Sequence, residues 1–246
     1  MVREDFSTII RKIRIFSGAI LFAYVIMHLL NHSVNIFSID LADAIRSSYF
    51  NPIWQNPVGL FLLYGSFTAH LILGFASILT RKSFKMKAKD WIQIVFPVLA
   101  LLFLLQHIAV SFIITKIFGG EETYSLFFAA MNTETPSDLI VGAILFSLMT
   151  IFIWVHGVIG IDSYLKQQAV HHNKFTFYIR YPSLFRFIYW IVPVGAVLGW
   201  LSGLRNMSFI AQIQSFEMDM PIPNYLGSII FKFIPQEAFP VIMQVE

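Results

Sequence analysis

The chain contains no cysteine. That absence excludes covalent c-type haem attachment, a cysteine-ligated iron–sulfur cluster and any disulfide framework within its 246 residues. Charge is also scarce: Asp, Glu, Lys and Arg make up 13% of the chain, against about a quarter in an ordinary soluble domain. With 57% hydrophobic residues, the composition is that of an integral membrane protein. P-loop, GxSxG, HExxH and paired-carboxylate motifs are missing, so a hydrolase or nucleotide site has no support. No repeat or low-complexity segment stands out.

What the chain does have is long apolar runs. Five stretches reach the roughly 20 helical residues that cross about 30 Å of hydrocarbon. They run from Ile15 to Phe37, Val58 to Thr80, Trp91 to Ile117, Leu139 to Leu165 and Phe187 to Leu204. The sequence predicts an all-α membrane protein built as a five-helix transmembrane bundle. Residues 1–14 read as a cytoplasmic N-terminal segment, 15–205 as the bundle and 206–246 as an extracytoplasmic or interfacial tail. The tail carries Pro221, Pro223, Pro235 and Pro240, and its longest apolar run, Tyr225 to Ile234, is too short to cross. The first apolar segment is too long for a signal-peptide core and has no evident cleavage site, so it reads as a retained helix. Pro97 and Pro193 fall inside spans, where a local kink is expected.

Basic residues set the expected orientation. Arg3, Arg11, Lys12 and Arg14 precede the first span. Arg81, Lys82, Lys85, Lys87 and Lys89 follow the second, and Lys166, Lys174, Arg180 and Arg186 follow the fourth. These thirteen of the seventeen basic residues share one side, which the positive-inside rule assigns to the cytoplasm. The rule accounts for them without a nucleic-acid partner.

Four of the seven histidines lie inside spans, one on each of the first four: His28, His70, His107 and His156. An ionisable group in a bilayer is costly and marks a functional site by default. Counted from the basic side at about 1.5 Å per residue, His70 lies roughly 15 Å deep and His156 roughly 14 Å. His28 lies roughly 21 Å deep, His107 roughly 24 Å and His32 roughly 27 Å, a second level nearer the outside. Imidazole is the usual axial ligand of non-covalent haem. Two depth-matched pairs therefore predict two b-type haems, one between helices two and four and one between helices one and three, with His28 or His32 as the ligand from helix one. The competing reading is that each imidazole merely hydrogen-bonds across the bundle.

The flanks favour a flat, bulky group at the inner level. Ser66, Gly74 and Ser77 share the face of His70, and Gly160 and Ser163 that of His156. Ser111 lies one turn beyond His107, while His28 has Tyr24 and His32 one turn away on either side, so the outer level is less clearly carved. His171 and His172 read as solvated loop residues, and Asp162 as an interfacial side chain. The GxxxGxxxG stripe of Gly195, Gly199 and Gly203 signals close helix packing rather than chemistry, with a homodimer left open.

Two families share this helix order of histidines. The chain resembles the dihaem cytochrome b anchors of succinate dehydrogenases and fumarate reductases. In those anchors an Arg/Ser/Gly cluster opening helix one, here Arg14, Ser17 and Gly18, helps to bind quinone, though the spacing differs. Over about residues 11–205 it more closely resembles the six-helix haem-b membrane anchor found N-terminal to some bacterial class III adenylate cyclases. The strings SGAILFAYVIMHLLNHS, FNPIWQNPVGLFLLYGSFTAH, LLQHIAVSF and IWVHGVIGID carry that likeness. It implies His28 or His32, His70, His107 and His156 as haem ligands, with Arg14, Arg81 and Lys82 meeting propionates or headgroups. That family continues through a sixth helix into a cytoplasmic part, and neither is present here. Two expectations stand: the front of a longer protein that crosses once more, or a stand-alone cytochrome subunit.

Together these readings give a b-type cytochrome module for quinone-linked electron transfer or redox sensing, anchoring a cyclase-type effector. A quinone-reducing anchor subunit with soluble redox partners is the alternative, and a haem-free receptor or scaffold the third. The lipid bilayer is the constant partner and quinone a candidate one. The resemblance places the chain in a bacterial inner membrane, with the mitochondrial inner membrane as alternative.

Overall fold

A computed structural model of the chain describes residues 6–112, 123–124, 136–172 and 180–206. The chain is an all-α transmembrane bundle, and five of its helices are long and apolar enough to cross a membrane. The long helices are α1 (Phe6–Val34), α4 (Pro57–Leu79), α5 (Ala88–Phe112), α6 (Pro136–His172) and α7 (Pro182–Asn206). Side chains such as Phe61, Leu79, Leu102 and Phe187 lie exposed on the outer surface of the bundle. In a bilayer that surface costs nothing, because lipid tails are as apolar as the side chains.

Helix limits differ from the hydropathy reading at both ends. Helix α1 begins at Phe6, so most of the expected N-terminal segment is helical and continuous with the first span. Helix α6 runs unbroken for 37 residues, which places the backbone of His171 and His172 on its last turn instead of in a loop. Hydropathy marks where lipid begins, but a helix continues past that point while its residues favour it. The expected tail, 206–246, lies outside the described residues apart from Asn206, as does the end of the expected third span beyond Phe112.

The link between the first two spans is itself helical. Ser38 caps α2 (Ile39–Ile45), accepting a hydrogen bond from the Leu41 N–H at 3.3 Å. A π-helical turn over Arg46–Phe50 joins it to α3 (Asn51–Trp54). Pro52 offers no N–H and its ring would clash with the carbonyl four residues back, so a wider turn before it relieves both problems. Asn56 then caps α4, accepting from Val58 and Gly59 N–H groups at 2.9 and 3.0 Å, with Pro57 at the first helical position.

Helix α1 is the hub of the bundle: it packs along α4 on one side and α7 on the other, while α5 packs along α6. Two glycines of the stripe on α7, Gly195 and Gly199, face α1. A Cβ on Gly199 would run into the His32 carbonyl oxygen, and one on Gly195 would lie 2.8 Å from Ser33 Oγ. Trp200 and Phe146 stack at 4.8 Å, with Phe146 5.3 Å from the His32 ring, and Phe22 meets Trp154 at 5.2 Å nearer the N-terminal end of α1.

Candidate functional site

The four span histidines meet in two pairs. The rings of His70 on α4 and His156 on α6 lie 6.1 Å apart between centroids, and those of His28 on α1 and His107 on α5 lie 6.0 Å apart. Two imidazoles on opposite sides of one metal, with bonds of about 2 Å, set their centroids roughly 6.3 Å apart. Both pairs match that span. Among the described residues no group of three or more His, Cys, Asp or Glu is set to hold a metal ion. Two imidazoles leave a transition metal under-coordinated, so such a pair suits iron that brings its remaining ligands in a porphyrin ring.

Around the inner pair, α1 closes on α4 through Arg14, Ser17 and Gly18. His70 Nδ1 lies 3.2 Å from the Arg14 carbonyl oxygen and 3.4 Å from Ser17 Oγ. Ser17 Oγ donates to that same carbonyl at 3.1 Å, and the Arg14 guanidinium donates to Ser77 Oγ. Gly18 faces the edge of the His70 ring so closely that a Cβ there would come within 2.8 Å of Cε1. On the opposite side His156 Nδ1 is buried with no hydrogen-bond partner among the described residues. Gln93 Nε2 donates to the His156 carbonyl at 3.1 Å. Gly74, one turn from His70, opens onto free space, and the nearest atom to a Cβ on Gly160 would be Gln93 Nε2 at 3.7 Å.

The outer pair is roofed and crowded. Tyr24 stacks on His28 at 5.6 Å, and Phe50 and Trp54 from the helical link close over Tyr24 at 5.3 and 5.2 Å. His32 is buried one turn further out, its Nε2 3.1 Å from His28 Nε2. Its ring faces Tyr124 at 5.0 Å and Phe146 at 5.3 Å. Asn31 Nδ2 donates to the Tyr124 hydroxyl at 2.8 Å, and the Tyr124 N–H donates to the Asp43 carboxylate at 2.9 Å. Burial pushes the Tyr124 phenol above its ordinary value, an effect that the Asn31 hydrogen bond partly offsets.

Of the residues singled out from sequence, Arg14, Ser17, His70 and His156 come together at the inner level, and His28, His32 and His107 at the outer. Ser163 donates to its own helix at Ile159 O and is exposed. Asp162 forms ion pairs with Lys89 at 3.1 Å and Lys166 at 2.9 Å, as suits an interfacial carboxylate. Sequence reasoning missed Gln93, Asn31 and Tyr124. A glutamine or asparagine inside a span is a polar signal that could have found the first two. Tyr124 sits in a link whose approach to α1 no local pattern encodes. No family model, curated protein or solved structure matches the chain.

Proposed function

We propose that the chain is a membrane b-type cytochrome module that holds two haems, one on the His70/His156 pair and one on the His28/His107 pair. The observation that supports it most directly is the near-equal ring separation of the two pairs, 6.1 and 6.0 Å, at the span of a bis-imidazole metal. Bound there, haem would supply one-electron redox chemistry. The chain's own part is to provide neutral imidazoles, hold their orientation and exclude water within a low-dielectric bundle. Arg14, Arg81 and Lys82 lie toward one end of α1 and α4 and offer positive charge to the carboxylates of a bound group. On this reading His28 is the outer ligand and His32, whose Nε2 lies 3.1 Å from His28 Nε2, supports it, since the ring of His28 lies 6.0 Å from that of His107.

The physiological role that fits such a module is quinone-linked electron transfer or redox sensing, passed to a cytoplasmic effector as in the cyclase anchors it resembles. An N-terminus in the cytoplasm and a bacterial inner membrane belong to the same proposal. Copurification with a flavoprotein and an iron–sulfur subunit would instead identify a respiratory anchor.

A haem-free scaffold is favoured by one observation: His70 and His28 already have polar partners within the protein. The deciding experiment is a dithionite-reduced minus oxidised spectrum of the detergent-purified chain, with pyridine haemochrome quantification. Close to two b-type haems per chain is expected, falling to about one in His70→Ala and in His156→Ala. Protein from haem-replete cells without a Soret band would overturn the proposal in favour of the scaffold.

A further inference from the structure

The hydrogen bonds around His70 contain more information than its position. Two oxygens face its Nδ1: the Arg14 carbonyl at 3.2 Å and Ser17 Oγ at 3.4 Å. A carbonyl oxygen can only accept. A serine hydroxyl has one proton, and Ser17 can give it to the Arg14 carbonyl at 3.1 Å, which leaves its oxygen to accept from His70. The carbonyl, the nearer of the two, therefore offers Nδ1 only an acceptor.

We infer that the Arg14 carbonyl and the Ser17 hydroxyl of α1 fix His70 as its Nδ1–H tautomer and so aim the lone pair of Nε2 at the space before His156. In a neutral imidazole one nitrogen carries the proton and the other is free to ligate, and the hydrogen bond made by the first decides which is which. Helix one, whose own His28 belongs to the outer pair, is therefore also the positioning element of the inner pair. Gly18 permits this, because a Cβ there would come within 2.8 Å of Cε1 and 3.2 Å of Nδ1 and push the ring off its acceptors. Ser17 and Gly18 are positioning residues: they act through His70. The use of the aimed lone pair rests on the cytochrome reading, but the tautomer does not.

The test is nitrogen NMR of the full-length chain in detergent, labelled with 15N-histidine, kept haem-free and held at pH 8. That is above the ordinary imidazole value of about 6.5. The two nitrogens of a neutral ring resonate far apart, and their couplings to the ring carbon protons show which one bears hydrogen. His70 is assigned by the signal lost in His70→Gln, or in His70→Asn should the first variant not fold. The expected result is His70 wholly in the Nδ1–H form, shifting toward a mixture of tautomers in Gly18→Ala. Ser17→Ala keeps the carbonyl and is expected to show a smaller upfield or downfield change that Ser17→Thr reverses. An Nε2–H signal for His70 in the wild-type chain overturns the inference whether or not haem binds. An Nδ1–H signal in a chain that never takes up haem leaves the inference standing and removes the cytochrome proposal alone.

Discussion

His28 and His32 lie one turn apart on the same face of α1, yet their neighbours differ. The ring of His28 lies 4.5 Å from that of His32 and 6.0 Å from that of His107, whereas His32 also meets Tyr124 and Phe146, and a Cβ on Gly199 would strike its backbone. Depth counting alone left either residue as the ligand, because it measures height along the helix and carries no azimuth. The geometry predicts that His28→Ala halves the haem content. His32→Ala is expected to keep two haems per chain with a shifted outer-haem spectrum, measured by pyridine haemochrome and reduced-minus-oxidised absorbance. Loss of one haem in His32→Ala with retention in His28→Ala would reverse the assignment. Arg14 and Ser17 were legible as a cluster from their place at the opening of helix one, but their grip on His70 was not, since contact between helices depends on rotations that no residue spacing records.

Tyr124 gives a residue-scale prediction in pH. Its phenol is raised in the folded chain by burial, so the neutral form is the one the fold prefers. Below the unfolded value of about 10 both states keep the proton and stability is flat. Above it the unfolded chain releases the proton while the folded chain does not, and stability falls as pH rises. Tyr124→Phe is expected to remove that component of the alkaline loss. At neutral pH it should cost about 1–3 kcal/mol, by leaving the buried Asn31 amide without its acceptor. Chemical melts of both proteins at pH 8 and above pH 10 measure the difference; parallel losses in the two would contradict it.

At the scale of elements, the number and type of spans were readable because each is a long apolar run, and hydropathy reports exactly that property. The helical link from Ile39 to Trp54 was not readable. Its pieces are 7, 5 and 4 residues long, too short for a periodic signal, and their order comes from caps and from packing over Tyr24. The glycine stripe was legible as a packing face, and the structure supplies its partner, α1. Gly199→Ala should destabilise the bundle by about 1–3 kcal/mol, because the obstacle is the backbone carbonyl of His32 and cannot rotate away. Gly65 meets nothing within 4 Å, so Gly65→Ala on the outer surface of α4 should be neutral or up to about 1 kcal/mol more stable. Thermal unfolding in one detergent compares them. An unaffected Gly199→Ala would mean that α7 docks more loosely than its contacts with α1 indicate.

For the whole molecule, the helices that pack along one another are chiefly α1 with α4 and with α7, and α5 with α6, whereas the histidine pairs join α4 with α6 and α1 with α5. Each pair thus connects helices that do not pack along one another. A group bound between such helices stabilises the folded chain by mass action, since the unfolded chain lacks the site. Haem-loaded protein should therefore melt above the haem-free form, with His107→Ala and His156→Ala loaded at one level falling between. Equal melting temperatures for loaded and haem-free protein would contradict a site shared between helices.

The geometry has one more consequence. The two connections cross like the struts of a braced frame, at different heights and between opposite corners. A frame with one strut still stands but can rack, so the corners held by the remaining strut drift out of square. Were both levels filled as proposed, filling the first would bring the second nearer its final shape. The order in which the levels would fill would then be a property of the scaffold as a whole, set by all four corner helices together.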